Sequence, residues 1–232
     1  MLGPSGSFAY GTNIETSDQD FIGVCIPPIE YFLGTEHFNE YRNNRGKNFK
    51  NTKEDVDVNI LHINKFVSNA MQGVPQAIEL LFLQEDQYLT LTPEGKRLVD
   101  NRHLFLSKQL FFKLGGFARS QIIRMEKSTK SRTDIVEEFG YDTKYFMHAM
   151  RLLTSGIEIF ETGDYSTLRP NREFLIECRK GKYTFDQAVK LVKDYDERFK
   201  EAHDQTDLPK SPDHKKVNEL LISINNNYLR KT

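Results

Sequence analysis

The residues of this chain that are best suited to chemistry lie near its beginning. A small-residue turn, Gly6-Ser7, is followed by the acidic residues Asp18 and Asp20, directly ahead of an apolar run at positions 21–24. The run predicts a strand, and residues two apart on a strand share one face of the sheet. Two carboxylates on one face repel each other and favour a cation between them. Hard oxygen ligands of this kind suit Mg²⁺ or Mn²⁺.

The turn ahead of the acidic pair is suited to binding a phosphate. Gly6 lets the backbone come close to a ligand because glycine has no Cβ atom. Ser7 offers a hydroxyl and a backbone N–H to phosphate oxygens. The turn and the acidic pair together indicate a phosphate-bearing ligand next to a metal ion.

Two stretches carry a resemblance to a known family. Residues 6–11, Gly-Ser-Phe-Ala-Tyr-Gly, and residues 17–24, Ser-Asp-Gln-Asp-Phe-Ile-Gly-Val, resemble the signature of the polymerase-beta-type nucleotidyltransferase superfamily. Their particular form is similar to a predicted nucleotidyltransferase family associated with RNA repair in bacteria and their phages. A second stretch at residues 140–153, with Gly-Tyr-Asp-x-Lys, a histidine and Arg-Leu-Leu, is similar to a helix of that family.

The resemblance implies a third carboxylate from a neighbouring strand. The alternation of residues 56–61 predicts that strand, with Val56, Val58 and Ile60 on one face and Asp57 and Asn59 on the other. Asp57 is the better candidate because β-branched residues flank it. Asp55 is the alternative. Asp57 could also be a solvent-facing residue of an edge strand without a role in chemistry.

The predicted helix that begins near Asp142 presents basic residues along one face. Lys144, His148, Arg151 and Ser155 follow one another at steps of four, three and four. Such an array suits a polyphosphate or an RNA backbone. Spacing alone fits a solvated helix face better, whereas the resemblance implies that the first three residues bind the nucleotide.

The resemblance implies two-metal nucleotidyl transfer, with Asp18, Asp20 and Asp57 holding two Mg²⁺ or Mn²⁺ ions. Gly6 and Ser7 would contact the phosphates of a nucleoside triphosphate, and the acceptor would be RNA. Two alternatives remain open: an enzyme that transfers AMP to a protein, and a module that binds a nucleotide or RNA without catalysis. Basic residues at 42–53 and 127–132 favour an RNA acceptor, although a solvated loop explains the first group equally well.

The composition limits the other classes. The chain has 232 residues, 38% of them hydrophobic, which is enough for a core. The formal net charge of −1 argues against a protein that binds nucleic acid by charge alone. Cys25 and Cys178 lack metal-site spacing and predict two reduced thiols in a cytoplasmic protein. The sequence shows no signal peptide and no membrane-spanning run, and it does not specify the oligomeric state, the nucleotide base or the acceptor.

The pattern of predicted strands and helices around these residues indicates an α+β fold. Residues 1–90 would form a small mixed-sheet, polymerase-beta-like catalytic domain, and residues 91–232 a helical substrate-binding domain. Only five residues precede the Gly6 turn, where the superfamily usually has a helix and a strand, so either the first strand is very short or the chain begins later than its relatives do. Asn-rich residues 36–53 predict a hairpin tip or a mobile loop. Apolar spacing and end signals predict helices at 62–72, 107–127, 142–163 and 184–203, with shorter ones from 75 and 92 and a last one around 217–224.

Overall fold

A four-stranded sheet forms the first part of the structure, which is a computed structural model describing residues 1–15, 17–43, 56–126 and 133–231. Strands β1 (Leu2–Ser5), β2 (Gln19–Cys25), β3 (Glu40–Asn43) and β4 (Val56–His62) lie in the order β1-β2-β4-β3. The two inner strands, β2 and β4, are parallel, and each edge strand pairs antiparallel with its neighbour. The predicted small mixed sheet is therefore confirmed.

The first strand, β1, is short. β1 has 4 residues and lies at an edge of the sheet. Pro4 can occupy this strand because a proline, which has no N–H, is tolerated where one side of a strand is left unpaired.

Helices make up most of the rest of the described chain. They are α1 (Gly6–Tyr10), α2 (Glu30–Leu33), α3 (Ile63–Met71), α4 (Pro75–Leu81), α5 (Pro93–Asp100), α6 (Leu110–Glu126), α7 (Thr133–Phe139), α8 (Thr143–Thr162), α9 (Arg172–Arg179), α10 (Phe185–Gln205) and α11 (His214–Leu229). Their ends follow local signals. Pro75 opens α4, and the side chains of Thr184 and Gln187 form the predicted capping box of α10. The α+β fold class is confirmed.

The chain divides into two compact units. The first comprises Met1–Phe105, Ser166–Arg169 and Ser211–Thr232, and the second comprises Leu106–Tyr165 and Pro170–Lys210. The first unit thus extends beyond residue 90 and includes the last helix, α11, which the prediction had assigned to the helical domain. The assignment of catalytic and substrate-binding roles to two domains stays a prediction.

The second unit is built around α8. This helix packs against α6, α9 and α10. Fully buried side chains of α8 and α9, including Phe146, Met150, Leu175 and Cys178, form its core. Among the described helices, none combines the length and the hydrophobicity needed to cross a lipid bilayer.

Two features of the described residues differ from the sequence-based prediction. Residues 40–43 form β3 instead of part of a loop, because they pair with β4 from Val58 to Leu61. The short helices α7 and α9 were not predicted, although a glycine with a left-handed backbone follows each of them, Gly140 after α7 and Gly181 after α9. Asp55, the basic residues 45–53 and the basic stretch 127–132 lie outside the described residues.

Candidate active site

Two of the three predicted carboxylates come together at the centre of the sheet. Asp20 on β2 and Asp57 on β4 are direct partners in the parallel pair. Neighbouring strands lie about 4.8 Å apart, so the two side chains leave the same face side by side. Because β4 lies between β2 and β3, the alternative in which Asp57 belongs to an edge strand is wrong.

The carboxylates share a face with the hydrophobic core. Ile22 and Leu61, each 4% exposed, lie on the same face as Asp20 and Asp57 because side chains two apart on a strand point the same way. The apolar residues Val56, Val58 and Ile60 alternate as predicted, but Val56 is exposed and the other two are half-buried. The packed core therefore ends where the acidic pair begins.

A cavity of about 350 Å³ opens at this end of the sheet. The described residues that line it come from all four strands and from helices α1 and α4. They are Ser5, Gly6, Tyr10, Asp20, Phe21, Ile22, Arg42, Asn43, Asp57, Val58, Asn59 and Gln76. Its wall carries two carboxylates, one guanidinium and several amide groups. This composition suits a polar, charged ligand.

Asp18 takes a different position. It lies just ahead of β2 and does not line the cavity. Hydrogen bonds between Ile14 and Ser17 close the turn before it, with the Ile14 N–H donating to Ser17 Oγ at 2.9 Å. The described residues contain no group of three or more His, Cys, Asp or Glu side chains placed to hold a metal ion. The structure thus brings Asp20 and Asp57 together but leaves Asp18 aside.

Gly6 lies directly against Asp20, one member of the acidic pair. It is the first residue of α1 and has a left-handed backbone conformation, with φ at 63°. A Cβ atom at this position would lie 2.9 Å from Asp20 Oδ2, closer than real contacts allow. The turn needs a glycine for both reasons. Ser7, the second predicted turn residue, does not line the cavity.

Asn59 was expected on the same strand face as Asp57, but no role was predicted for it. Asn59 follows Asp57 by two positions, and its Cα partners are Ile22 and Arg42. Its side-chain oxygen Oδ1 is buried and has no hydrogen-bond partner within the described part of the chain. A buried oxygen without a partner is costly, which favours a ligand atom or an ion beside it. The alternation of residues 56–60, which places Asn59 on the face of Asp57, could have identified Asn59 as a site residue.

Arg42 brings positive charge to the cavity from β3. Its Nε lies 3.1 Å from Glu40 Oε1, and Lys65 Nζ lies 2.8 Å from Glu40 Oε2. The hydrogen bond from Lys65 is the main cause that holds the pKa of the Glu40 carboxyl below its usual value. The arginine side chain is more than half exposed, so its pairing with Glu40 is weak and it can turn toward a phosphate.

A buried network supports the helix that carries Gly6. The Tyr10 hydroxyl at the end of α1 donates to Glu79 Oε2 at 2.8 Å. The Thr167 hydroxyl donates to the Glu79 carbonyl at 2.7 Å, and the Arg169 N–H donates to the Tyr10 carbonyl at 3.1 Å. The Ser166–Arg169 segment, although distant in sequence, thus belongs to the wall behind the cavity. Glu79 itself is buried.

The predicted basic face lies on α8 in the second unit. Lys144 and His148 are half-buried, whereas Arg151 and Ser155 are 7% and 2% exposed. The alternative of a solvated helix face is wrong for these last two residues, because α8 is packed against three other helices of its unit. Binding of a nucleotide by Lys144, His148 and Arg151 stays a prediction.

Comparison with known proteins identifies the family of the chain. The family model described as the RNA repair pathway DNA polymerase beta family matches residues 2–223. An uncharacterized 38.9 kDa protein in the nrdC-mobD intergenic region of Enterobacteria phage T4 is 31% identical over 121 residues, which is 50% of this chain and 35% of that protein. No solved structure matches the chain. Since the family model covers nearly the whole sequence, the chain belongs to the RNA repair pathway DNA polymerase beta family, whose members are polymerase-beta-like nucleotidyltransferases.

Proposed function

We propose that this protein is a metal-dependent nucleotidyltransferase that moves a nucleoside monophosphate from a nucleoside triphosphate to a hydroxyl of RNA and releases pyrophosphate. One observation carries the proposal: Asp20 and Asp57 lie side by side on parallel strands at a polar cavity, with Gly6 against Asp20. Membership of a polymerase-beta-like family supports the reaction class.

The groups at the cavity fit Mg²⁺ or Mn²⁺. Asp20 and Asp57 offer carboxylate oxygens from neighbouring strands, and Asn59 offers the unpartnered oxygen Oδ1. Mg²⁺ is commonly bound by one or two carboxylates, with substrate phosphates and waters as its other ligands. Asp20 and Asp57 would hold two ions, with Asp18 as the third predicted ligand. Ions bound there would offset phosphate charge and lower the pKa of the attacking hydroxyl.

The chain itself would bind and orient the triphosphate. The missing side chain of Gly6 leaves room for phosphate oxygens beside Asp20, and Ser7 would donate hydrogen bonds to the β and γ phosphates. Arg42 would add a positive charge from β3, the strand next to the one that carries Asp57. With the α-phosphorus held there, the acceptor oxygen forms a bond to it while the bond to the pyrophosphate oxygen breaks, and the hydroxyl proton passes to water.

The test is a transfer assay with matched variants. Purified protein is incubated with each α-labelled nucleoside triphosphate, Mg²⁺ or Mn²⁺, and a pool of small RNAs that includes tRNA. Asp18→Asn, Asp20→Asn and Asp57→Asn each remove one predicted ligand, and Asp86→Asn removes an exposed carboxylate of the same unit away from the cavity. We expect label on RNA with the wild type and Asp86→Asn, and its loss with Asp18→Asn, Asp20→Asn and Asp57→Asn at unchanged melting temperature.

Other outcomes separate the alternatives. Label on protein instead of RNA would support an enzyme that transfers AMP to proteins. Nucleotide binding without any transfer would support a non-catalytic module, which the position of Asp18 outside the cavity favours. Full activity of Asp20→Asn and Asp57→Asn would exclude the proposed site.

A further inference from the structure

We propose that the outer face of α6 binds single-stranded RNA. We define this surface by Phe112, Lys113, Gly116, Phe117, Arg119 and Arg124, which lie on the exposed side of the helix or at its margin. The inference rests on the proposed function for its choice of RNA as the ligand. It is carried by the charges, the aromatic rings and one glycine of this helix.

The charges of the outer face favour a polyanion. Between Leu110 and Met125 the helix contains Lys113, Arg119 and Arg124 and no Asp or Glu. Arg119 and Arg124 are exposed, and Lys113 is half-buried. Lys113 and Arg124 are about 16 Å apart along the helix axis, at a rise of ~1.5 Å per residue. A row of cations of this length without an intervening carboxylate fits the phosphates of an extended strand.

The rings of the outer face favour unpaired bases. Phe112 is 74% exposed and Phe117 is 47% exposed, although phenylalanine is usually buried. Exposed aromatic rings among cations are the pattern of single-strand binding, in which bases stack on the rings while the phosphates meet the charges. Ile123, which is 52% exposed, adds an apolar side chain that a protein partner could use as well. The test therefore includes self-association.

Gly116 provides a separate reason to place a ligand here. Its neighbour Gly115 has a packing role, since a Cβ there would lie 3.3 Å from Phe199 Cε1. At Gly116, apart from the adjacent residues and the backbone of the helix itself, no atom of the described residues lies within 4 Å of the corresponding position, and φ is not positive. Glycine weakens a helix relative to alanine, and nothing in the described structure offsets that cost. Close approach of an RNA chain to the helix backbone would require it.

The experiment measures binding of a fluorescein-labelled single-stranded RNA of mixed sequence by the full chain. It is done without nucleotide and with EDTA, so catalysis plays no part. We expect Phe112→Ser and Phe117→Ser each to raise Kd at least about fivefold. Lys113→Gln and Arg119→Gln should each reduce the salt dependence of log Kd by about 0.7. Gly116→Leu should weaken binding while the melting temperature is unchanged or higher.

Matched controls change the same properties elsewhere. Leu33→Ser removes an apolar side chain that is 82% exposed in the first unit. Lys190→Gln with Lys193→Gln removes two exposed charges from α10, in the same unit as α6. Both controls should bind RNA like the wild type. The same RNA annealed to its complement should bind more weakly, because its bases are no longer available for stacking.

The proposal is overturned if the α6 variants bind single-stranded RNA as tightly as the controls do, or if the wild type binds no RNA. It is also overturned if the phenylalanine variants only convert a dimer to a monomer in sedimentation, which would make this face an interface between copies. Failure of the transfer assay with loss of RNA binding in the α6 variants would contradict the proposed function alone. Successful transfer with unaltered RNA binding would contradict the α6 surface alone.

Discussion

Replacement of Gly6 by alanine separates the role of the turn in folding from its role at the site. The backbone at Gly6 has φ at 63°, and a left-handed conformation costs an alanine about 1–2 kcal/mol. The new Cβ would lie 2.9 Å from Asp20 Oδ2, whereas ordinary contact begins at 3.4 Å. The carboxylate must therefore move by a few tenths of an ångström. It can do so at little cost, because the oxygen is the far end of a side chain.

Stability and activity should consequently respond differently. The melting temperature should fall by about 2–8 °C, at roughly 2–4 °C per kcal/mol for a chain of this size. Transfer activity should fall about tenfold to a hundredfold, because small misplacements of catalytic groups cost orders of magnitude in rate. A calorimetric titration with Mn²⁺ should show weaker binding, independently of turnover.

Gly163→Ala is the matched control. Gly163 has φ at 68°, almost the same as Gly6, and no described atom lies within 4 Å of its Cβ position. The two variants should lose similar stability, since they carry the same backbone strain. Only Gly6→Ala should lose transfer activity and Mn²⁺ affinity. Equal activity of the two variants would refute the inference that the contact between Gly6 and Asp20 matters for function.

Two further predictions concern the buried parts of the structure. Tyr10→Phe removes the 2.8 Å hydrogen bond to Glu79 and should lower the free energy of unfolding by about 1–3 kcal/mol in urea titrations. Tyr41→Phe, at an exposed tyrosine, is the control and should change the free energy of unfolding by less than about 0.5 kcal/mol. Similar values for both would show that the Tyr10 bond contributes nothing. Burial raises the pKa of the Cys178 thiol to about 12, so iodoacetamide at mildly alkaline pH should modify Cys178 only after unfolding. The partly exposed Cys25 should be modified in the native protein, and mass spectrometry distinguishes the two sites. Burial also raises the pKa of Cys25, so its reaction should be slow; rapid labelling of native Cys178 would contradict its burial.

Local signals were sufficient for many of the elements. The alternation around Asp57 predicted a strand, and β4 spans Val56–His62. Pro75 and the Thr184 capping box predicted the starts of α4 and α10. These signals depend on neighbouring residues only, so a sequence displays them directly.

Features that depend on partners distant in the sequence were not predicted. β3 was read as part of a loop because its four residues form a strand only by pairing with β4. Arg151 was read as part of an accessible basic face, although the packing of α8 in the second unit leaves it 7% exposed. The Ser166–Arg169 segment gave no sign that it would support α1 through Tyr10 and Glu79.

The sequence by itself determined the chemical character of the site: a glycine turn, acidic residues at the start of a strand and another acidic residue on a second strand. The tertiary structure alone decided which of these groups meet. Parallel pairing of β2 and β4 in one register places Asp20 beside Asp57, and a shift by one residue would turn them to opposite faces. Asp18, directly ahead of β2, does not line the cavity. The antiparallel pairing of β1 with β2, in which Ser5 is the partner of Asp20, brings Gly6 against Asp20. Register is set by the packing of residues far apart in the chain, and no local pattern encodes it.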